Sequence, residues 1–288
     1  MKVFVDSYKE MRKKDIRRLL PARKRDSHKG NYGKVLLLCG STGFTGAAKL
    51  AARAALRAGS GLVYLGVPDA VYPIVASGLD EAIVFPLPCD NQGQFSLAAG
   101  KEILQKMDGK DAVLIGPGLG RSTELTQLLM LVLQNSNVPV VLDADGINGL
   151  AQHMDVLRSC TCPLIVTPHD GEFRRLCRHT DANRRRETVQ LALELNGIVL
   201  RKGYRTLITD GTEVWRNTTG NPGMAVGGSG DVLSGILVSL IGQHVPPLEA
   251  AAMAAWIHGA AGDLAAEALG EYGMLPSDLI EAIPYILK

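Results

Sequence analysis

Five short apolar runs in this chain each end in a cluster of glycine or charged residues, and that alternation restricts the fold more than any other feature. Residues 34–39 run into Gly40-Ser-Thr-Gly-Phe-Thr-Gly46, and residues 112–115 into Gly116-Pro-Gly-Leu-Gly120. Residues 138–142 end at Asp143-Ala-Asp145, residues 164–167 at Pro168-His-Asp-Gly-Glu172, and residues 198–200 at Lys202-Gly203. Runs of this length, separated by amphipathic stretches, read as buried strands joined by crossover helices. Parallel strands need such crossovers. The pattern predicts an α/β fold with a mainly parallel central sheet and helices on both faces. Ligands of such sheets bind outside the carboxyl ends of the strands, so the polar clusters should meet on one rim.

Helices are expected over residues 47–58, after an N-cap at Ser122 and over 248–269, with a short closing segment over 276–286. Thr206-Leu-Ile-Thr209 should turn at Asp210-Gly211 into a hairpin. No Pro/Ser-rich linker interrupts the pattern, which predicts one domain over residues 31–288 behind a basic lead of residues 1–30.

Residues 220–236 read Gly-Asn-Pro-Gly-Met-Ala-Val-Gly-Gly-Ser-Gly-Asp-Val-Leu-Ser-Gly-Ile. Leu233, Ile236, Leu237, Leu240 and Ile241 follow at the spacing of one buried helix face. A glycine-rich loop entering a helix N-terminus offers unpaired N–H groups and the positive dipole end, which suits a phosphate. Gly227, Gly228, Ser229 and Gly230 form that candidate phosphate loop, and Asp231 is the candidate catalytic base beside it. On this reading the dipole should keep Asp231 ionised, with a low pKa.

Other function classes fit less well. No apolar stretch reaches the roughly 18 residues of a membrane span, and no secretory signal is read at the start. The five cysteines show no CxxC pair or zinc spacing, which suits reduced thiols in the cytoplasm. The first 30 residues hold 11 Lys/Arg against 4 Asp/Glu, within a chain of net charge +2. No aromatic ladder accompanies this charge, so nucleic-acid binding is not expected.

Loop 40–46 lacks the ending of a Walker A motif and the spacing of a dinucleotide fingerprint. Two glycine loops, a lysine after a strand and a carboxylate at a helix start fit phosphoryl transfer, in which the protein positions groups and neutralises charge. Each residue also has a purely structural reading. His169 could cap a helix, Glu172 could be a first-turn acid, and Asp143 and Asp145 could be N-caps.

Taken together, His28-Lys-Gly-Asn-Tyr-Gly-Lys34, Gly43-Phe-Thr-Gly-Ala-Ala48, Gly116-Pro-Gly-Leu-Gly120, Asp143-Ala-Asp145, Thr167-Pro-His-Asp-Gly-Glu172, Lys202-Gly-Tyr-Arg-Thr206 and Asn221-Pro-Gly-Met-Ala-Val-Gly-Gly-Ser-Gly-Asp231 resemble the NAD(P)H-hydrate dehydratase family. The resemblance implies a ribokinase-like fold. It also implies dehydration of the S form of hydrated NADH or NADPH, with ADP or ATP phosphorylating the C6 hydroxyl before phosphate is lost. Asp231 would be the base, and Ala47, Gly118, Gly120 and His169 would line the hydrate. Lys202, Gly203, Tyr204, Arg205, Thr206 and Gly230 would hold the AMP part of the donor. Glu172 would help position Mg2+ through water. A homotetramer and a separately encoded NAD(P)H-hydrate epimerase are further implications. The alternative within the same fold is a small-molecule kinase, for example of hydroxymethylpyrimidine or hydroxyethylthiazole. A nucleotide-binding regulatory protein without turnover is the reading from another class.

Overall fold

The computed structural model describes residues 7–177 and 183–288. Nine strands form one sheet: β1 (Lys34–Leu38), β2 (Leu62–Pro68), β3 (Ile83–Leu87), β4 (Ala112–Ile115), β5 (Val140–Leu142), β6 (Leu164–Val166), β7 (Ile198–Arg201), β8 (Leu207–Thr209) and β9 (Val214–Arg216). Their order is β3-β2-β1-β4-β5-β6-β7-β8-β9. Every pairing from β3 to β7 is parallel, and β8 and β9 add an antiparallel hairpin. The α/β architecture expected from the alternation is therefore present.

The helices are α1 (Lys13–Leu19), α2 (Thr45–Arg57), α3 (Tyr72–Ala76), α4 (Gly100–Met107), α5 (Thr123–Asn135), α6 (Ala144–Leu150), α7 (Met154–Arg158), α8 (Asp170–Leu176), α9 (Arg184–Leu195), α10 (Ser229–Gly242), α11 (Pro247–Leu269) and α12 (Pro276–Leu287). Strand side chains alternate between two cores, as a two-residue period requires. Val35, Leu37 and Cys39 join α2, α10, α11 and α12 on one face. Leu36 and Leu38 join α4 to α9 on the other. At α5 the Ser122 hydroxyl accepts from Leu125 N at 3.0 Å, so the N-cap read from sequence is in place.

Two features depart from the sequence reading. The spacing of Leu233 to Ile241 suggested one apolar face, yet Val232 through Gly242 are all buried. Helix α10 runs through the core between α2, α11 and the sheet. A helix enclosed on all sides loses the amphipathic signature by which helices are recognised. The basic lead, in turn, is not separate from the fold. Lys9 N donates to Val214 O and Arg216 N to Lys9 O, both at 2.9 Å, so residues beside Lys9 cover the open edge of β9. Met11 and Ile16 are buried in the first core. Residues 1–6 of the lead lie outside the described residues.

Candidate active site at the switch point of the sheet

Strand β1 has β2 on one side and β4 on the other, so the loops leaving β1 and β4 diverge. Such a topological switch point opens a crevice at the carboxyl ends of the strands. Loops 40–46 and 116–120 flank it. Gly40 N donates to Pro117 O at 2.8 Å, and Ser41 Oγ to Gly118 O at 2.8 Å. At Gly118, φ is +64°, and an added Cβ would stand 2.9 Å from the Ala47 Cβ and 2.8 Å from the Phe44 Cβ. Gly120 N donates to Asp145 Oδ2 at 3.0 Å, which ties this loop to α6. Ala47, Gly118 and Gly120 thus lie along one wall, with Phe44 exposed at its edge.

The phosphate loop opens α10 on the same rim. Gly228 takes the N-cap position with φ +95°, a backbone shape that costs an L side chain about 1–2 kcal/mol. Gly227 has open space where a Cβ would be, and at Gly230 a Cβ would lie 3.5 Å from Lys202 Nζ. The loop before it is fastened to α11, since Asp263 accepts from Gly220 N at 2.9 Å and from Asn221 Nδ2 at 3.1 Å. Ser229 Oγ is 3.2 Å from Nε2 of His258, whose pKa burial pulls down to about 4, so the ring is neutral.

Asp231 does not behave as the helix dipole alone suggests. Burial, with the Asp143 carboxylate next in weight, pushes its pKa up to about 7; Lys202 opposes this and Asp145 adds to it. Desolvation and a like charge therefore outweigh the dipole, and the expected low pKa is corrected. Lys202 is committed elsewhere: its Nζ lies 2.7 Å from Asp143 Oδ1 and 3.7 Å from Glu172 Oε2. Burial would depress the lysine, but Asp143 and Glu172 hold its pKa above the ordinary value. Its ammonium faces the carboxylates at the strand ends and also borders the phosphate loop at Gly230. Among the described residues nothing forms an ion pair with the Asp231 carboxylate.

His169 takes the capping role. Its Nδ1 accepts from Gly171 N at 2.9 Å and Glu172 N at 3.2 Å, while Glu172 Oε2 accepts from His169 N at 2.8 Å. The other Glu172 oxygen lies 3.3 Å from His169 Nε2. Glu172 is buried with both oxygens engaged, and no described group of three or more His, Cys, Asp or Glu side chains could hold a metal ion. The residues do not fit a protein-held magnesium ion, and Glu172 does not fit as its direct ligand. Asp143 sits at the N-cap position of α6, yet its side chain bonds Lys202 instead of the helix.

Loop 202–206 is held from behind by Arg184, which donates to the carbonyls of Arg201, Lys202, Tyr204 and Arg205 at 2.9–3.3 Å. Thr206 Oγ1 donates to Gly203 O at 2.9 Å, and Tyr204 is exposed. Arg184 and His258 were not singled out by sequence. Arg184 lies in an ordinary-looking run of three arginines, and His258 in an alanine-rich helix without a motif around it.

Fold and site define a ribokinase-like α/β protein, with a carboxylate at the glycine-rich start of a helix beside the switch point of its sheet. The chain belongs to the NAD(P)H-hydrate dehydratase family, whose model matches residues 35–285. It is 37% identical to an ADP-dependent (S)-NAD(P)H-hydrate dehydratase of Cenarchaeum symbiosum, over 95% of each chain. It is 44% identical to a bifunctional NAD(P)H-hydrate repair enzyme of Moorella thermoacetica, over 93% of this chain and 52% of that protein. The chain thus spans about half the length of the bifunctional relatives. Among solved structures, an ADP/ATP-dependent NAD(P)H-hydrate dehydratase of Bacillus subtilis, co-crystallised with ATP and Mg2+, matches with a TM-score of 0.82 at 29% identity, covering 98% of each chain. A hydroxyethylthiazole kinase of Pyrococcus horikoshii, at 15% identity and a TM-score of 0.66, shares the fold.

Proposed function

We propose that this protein dehydrates the S form of NADH or NADPH hydrate, using ADP or ATP as phosphoryl donor. The observation that carries the reading is the Asp231 carboxylate, unpaired and poised near neutral pH between the open phosphate loop and the switch-point crevice. The nicotinamide hydrate would lie against Ala47, Gly118 and Gly120, with His169 across the rim. The nucleotide would lie along the backbone of residues 202–206, its transferring phosphate over the N–H groups of Gly227, Gly228, Ser229 and Gly230. Asp231 would accept the C6 hydroxyl proton as that oxygen bonds to the terminal phosphorus and the nucleotide leaves. Loss of phosphate from C6, with a proton from the neighbouring ring carbon, then restores the C5–C6 double bond.

Transfer of this kind is mainly a matter of position and charge. Lys202 would offset part of the charge of Asp143 and Glu172, so that the incoming phosphate meets the donors at the start of α10 beside a less acidic cluster. Magnesium would enter with the nucleotide's phosphates and neutralise part of their charge. The same reading includes a cytoplasmic homotetramer working with an NAD(P)H-hydrate epimerase that supplies the S form. The names of the bifunctional relatives support that pairing.

The test is direct. Purified protein with ADP or ATP and Mg2+ should restore reduced-nicotinamide absorbance from the S hydrate of NADH. Failure to do so, together with phosphorylation of hydroxymethylpyrimidine or hydroxyethylthiazole, would replace the dehydratase with a kinase.

A further inference from the structure

An open basic concavity lies at the end of the sheet beyond β7. Its volume is about 580 Å³, and Tyr8, Arg184, Arg185, Arg205 and Arg216 are among the residues that line it. Several distant segments build it. Tyr8 arrives from the segment that covers β9, and its ring is stacked by the guanidinium groups of Arg185 and Arg216 at 4.6 and 4.7 Å. Arg184 and Arg185 open α9, and Arg205 stands in loop 202–206 with φ +53°.

Around Arg184, Arg185, Arg205 and Arg216 the charge is only partly compensated by the described residues. Arg216 pairs with Glu10, and Arg184 Nε lies 3.6 Å from Asp170 Oδ1. Asp170 and Glu187 are already engaged by Arg201, at 2.7 and 2.8 Å. Neither Arg185 nor Arg205 has a carboxylate within ion-pair distance among the described residues. Among the described residues Arg185 makes one side-chain hydrogen bond, from Nη2 to Ser7 O at 3.2 Å, and Arg205 makes none, which leaves N–H groups of both for an acceptor-rich anion.

We propose that this concavity is a binding site for a small phosphorylated anion, separate from the phosphate loop at α10. Arginine forks match phosphate oxygens two at a time, and the volume lies in the range of small-molecule sites. The inference stands on the arginine geometry and does not depend on the dehydratase reading. Because Arg184 also grips four carbonyls of loop 201–205, occupancy here bears on the loop proposed for the nucleotide.

Calorimetric titration of the full chain with inorganic pyrophosphate, after saturation with ADP, tests this. One further site per chain is expected. Arg185→Glu and Arg216→Gln should each weaken it about tenfold or more, as loss of a charge-assisted phosphate contact does. Both variants should bind ADP as the wild type does, which also reports that they are folded. Absence of pyrophosphate binding to the ADP-saturated protein, one-for-one displacement of ADP, or unchanged affinity in both variants would each overturn the proposal.

Discussion

Lys202 Nζ stands 2.7 Å from Asp143 Oδ1, and both partners of this pair act on Asp231, the carboxylate raising its pKa and the ammonium lowering it. The lysine closes β7 and the aspartate follows β5, so the ion pair links two strand ends beneath the rim. Had the ammonium bonded Asp231, it would have fixed that carboxylate as an anion of low proton affinity. Placed on Asp143, it offsets part of the acidic charge while leaving Asp231 half-buried and without an ion pair among the described residues, with a pKa near 7. A base poised near the working pH is the favourable case for general-base catalysis.

The pH profile follows. Asp231 accepts a proton only when ionised, so kcat/KM for the hydrate should rise with pH through about 7 and level off above it. A profile flat from pH 5 to 8 would mean that another group takes the proton.

Stability should show the opposite sign. The folded pKa of Asp231 lies above the ordinary aspartate value of 3.8, so ionisation opposes folding fully above about 7 and not at all below 3.8. Asp231→Asn should therefore stabilise the nucleotide-free protein at pH 8 by on the order of 2–4 kcal/mol, and the gain should vanish toward pH 4. Thermal or denaturant melts at several pH values read this difference.

Removing the lysine tests the pairing itself. Lys202→Met leaves Asp143 and Glu172 buried without their cation, at a cost of about 3–5 kcal/mol. It also withdraws the one charge that lowers the Asp231 pKa, so the activity limb should move to higher pH. Denaturant midpoints and the pH profile of the variant measure both effects. An unmoved limb would mean that Lys202 does not act on Asp231.

Much of this was legible in the sequence, for physical reasons. Each cluster after a strand sits on the rim because parallel strands deliver their carboxyl ends to one side. Ser122 was readable because capping is local chemistry. The stretch holding β3, α3 and α4 carried no assigned element: β3 is an edge strand with Ile83 exposed and lacks the continuous apolar run of the central strands. The Asp231 pKa was misread because its causes, burial and Asp143, are distant in sequence, whereas the dipole is local. The contacts that hold Glu172 were not legible in full: the capping of its own helix start is local, but the approach of Lys202 comes from a distant strand. Arg184 acts through four carbonyls, a role that no residue pattern encodes.

The crevice wall gives a separate handle on substrate binding. At Gly118 a methyl group would press on Phe44 and Ala47 at a φ of +64°. Gly118→Ala should cost about 1–3 kcal/mol of stability and raise KM for the hydrate while leaving KM for the nucleotide nearly unchanged. Steady-state kinetics with each substrate varied in turn separates the two.

The central claim is that Asp231 is the base, and Asp231→Asn tests it most directly when turnover and nucleotide binding are measured on the same preparation. The geometry predicts ADP affinity close to wild type and turnover of the S hydrate lower by roughly 10²–10⁴-fold, the usual contribution of a general base. Turnover within a few-fold of wild type, with binding intact, would contradict the account.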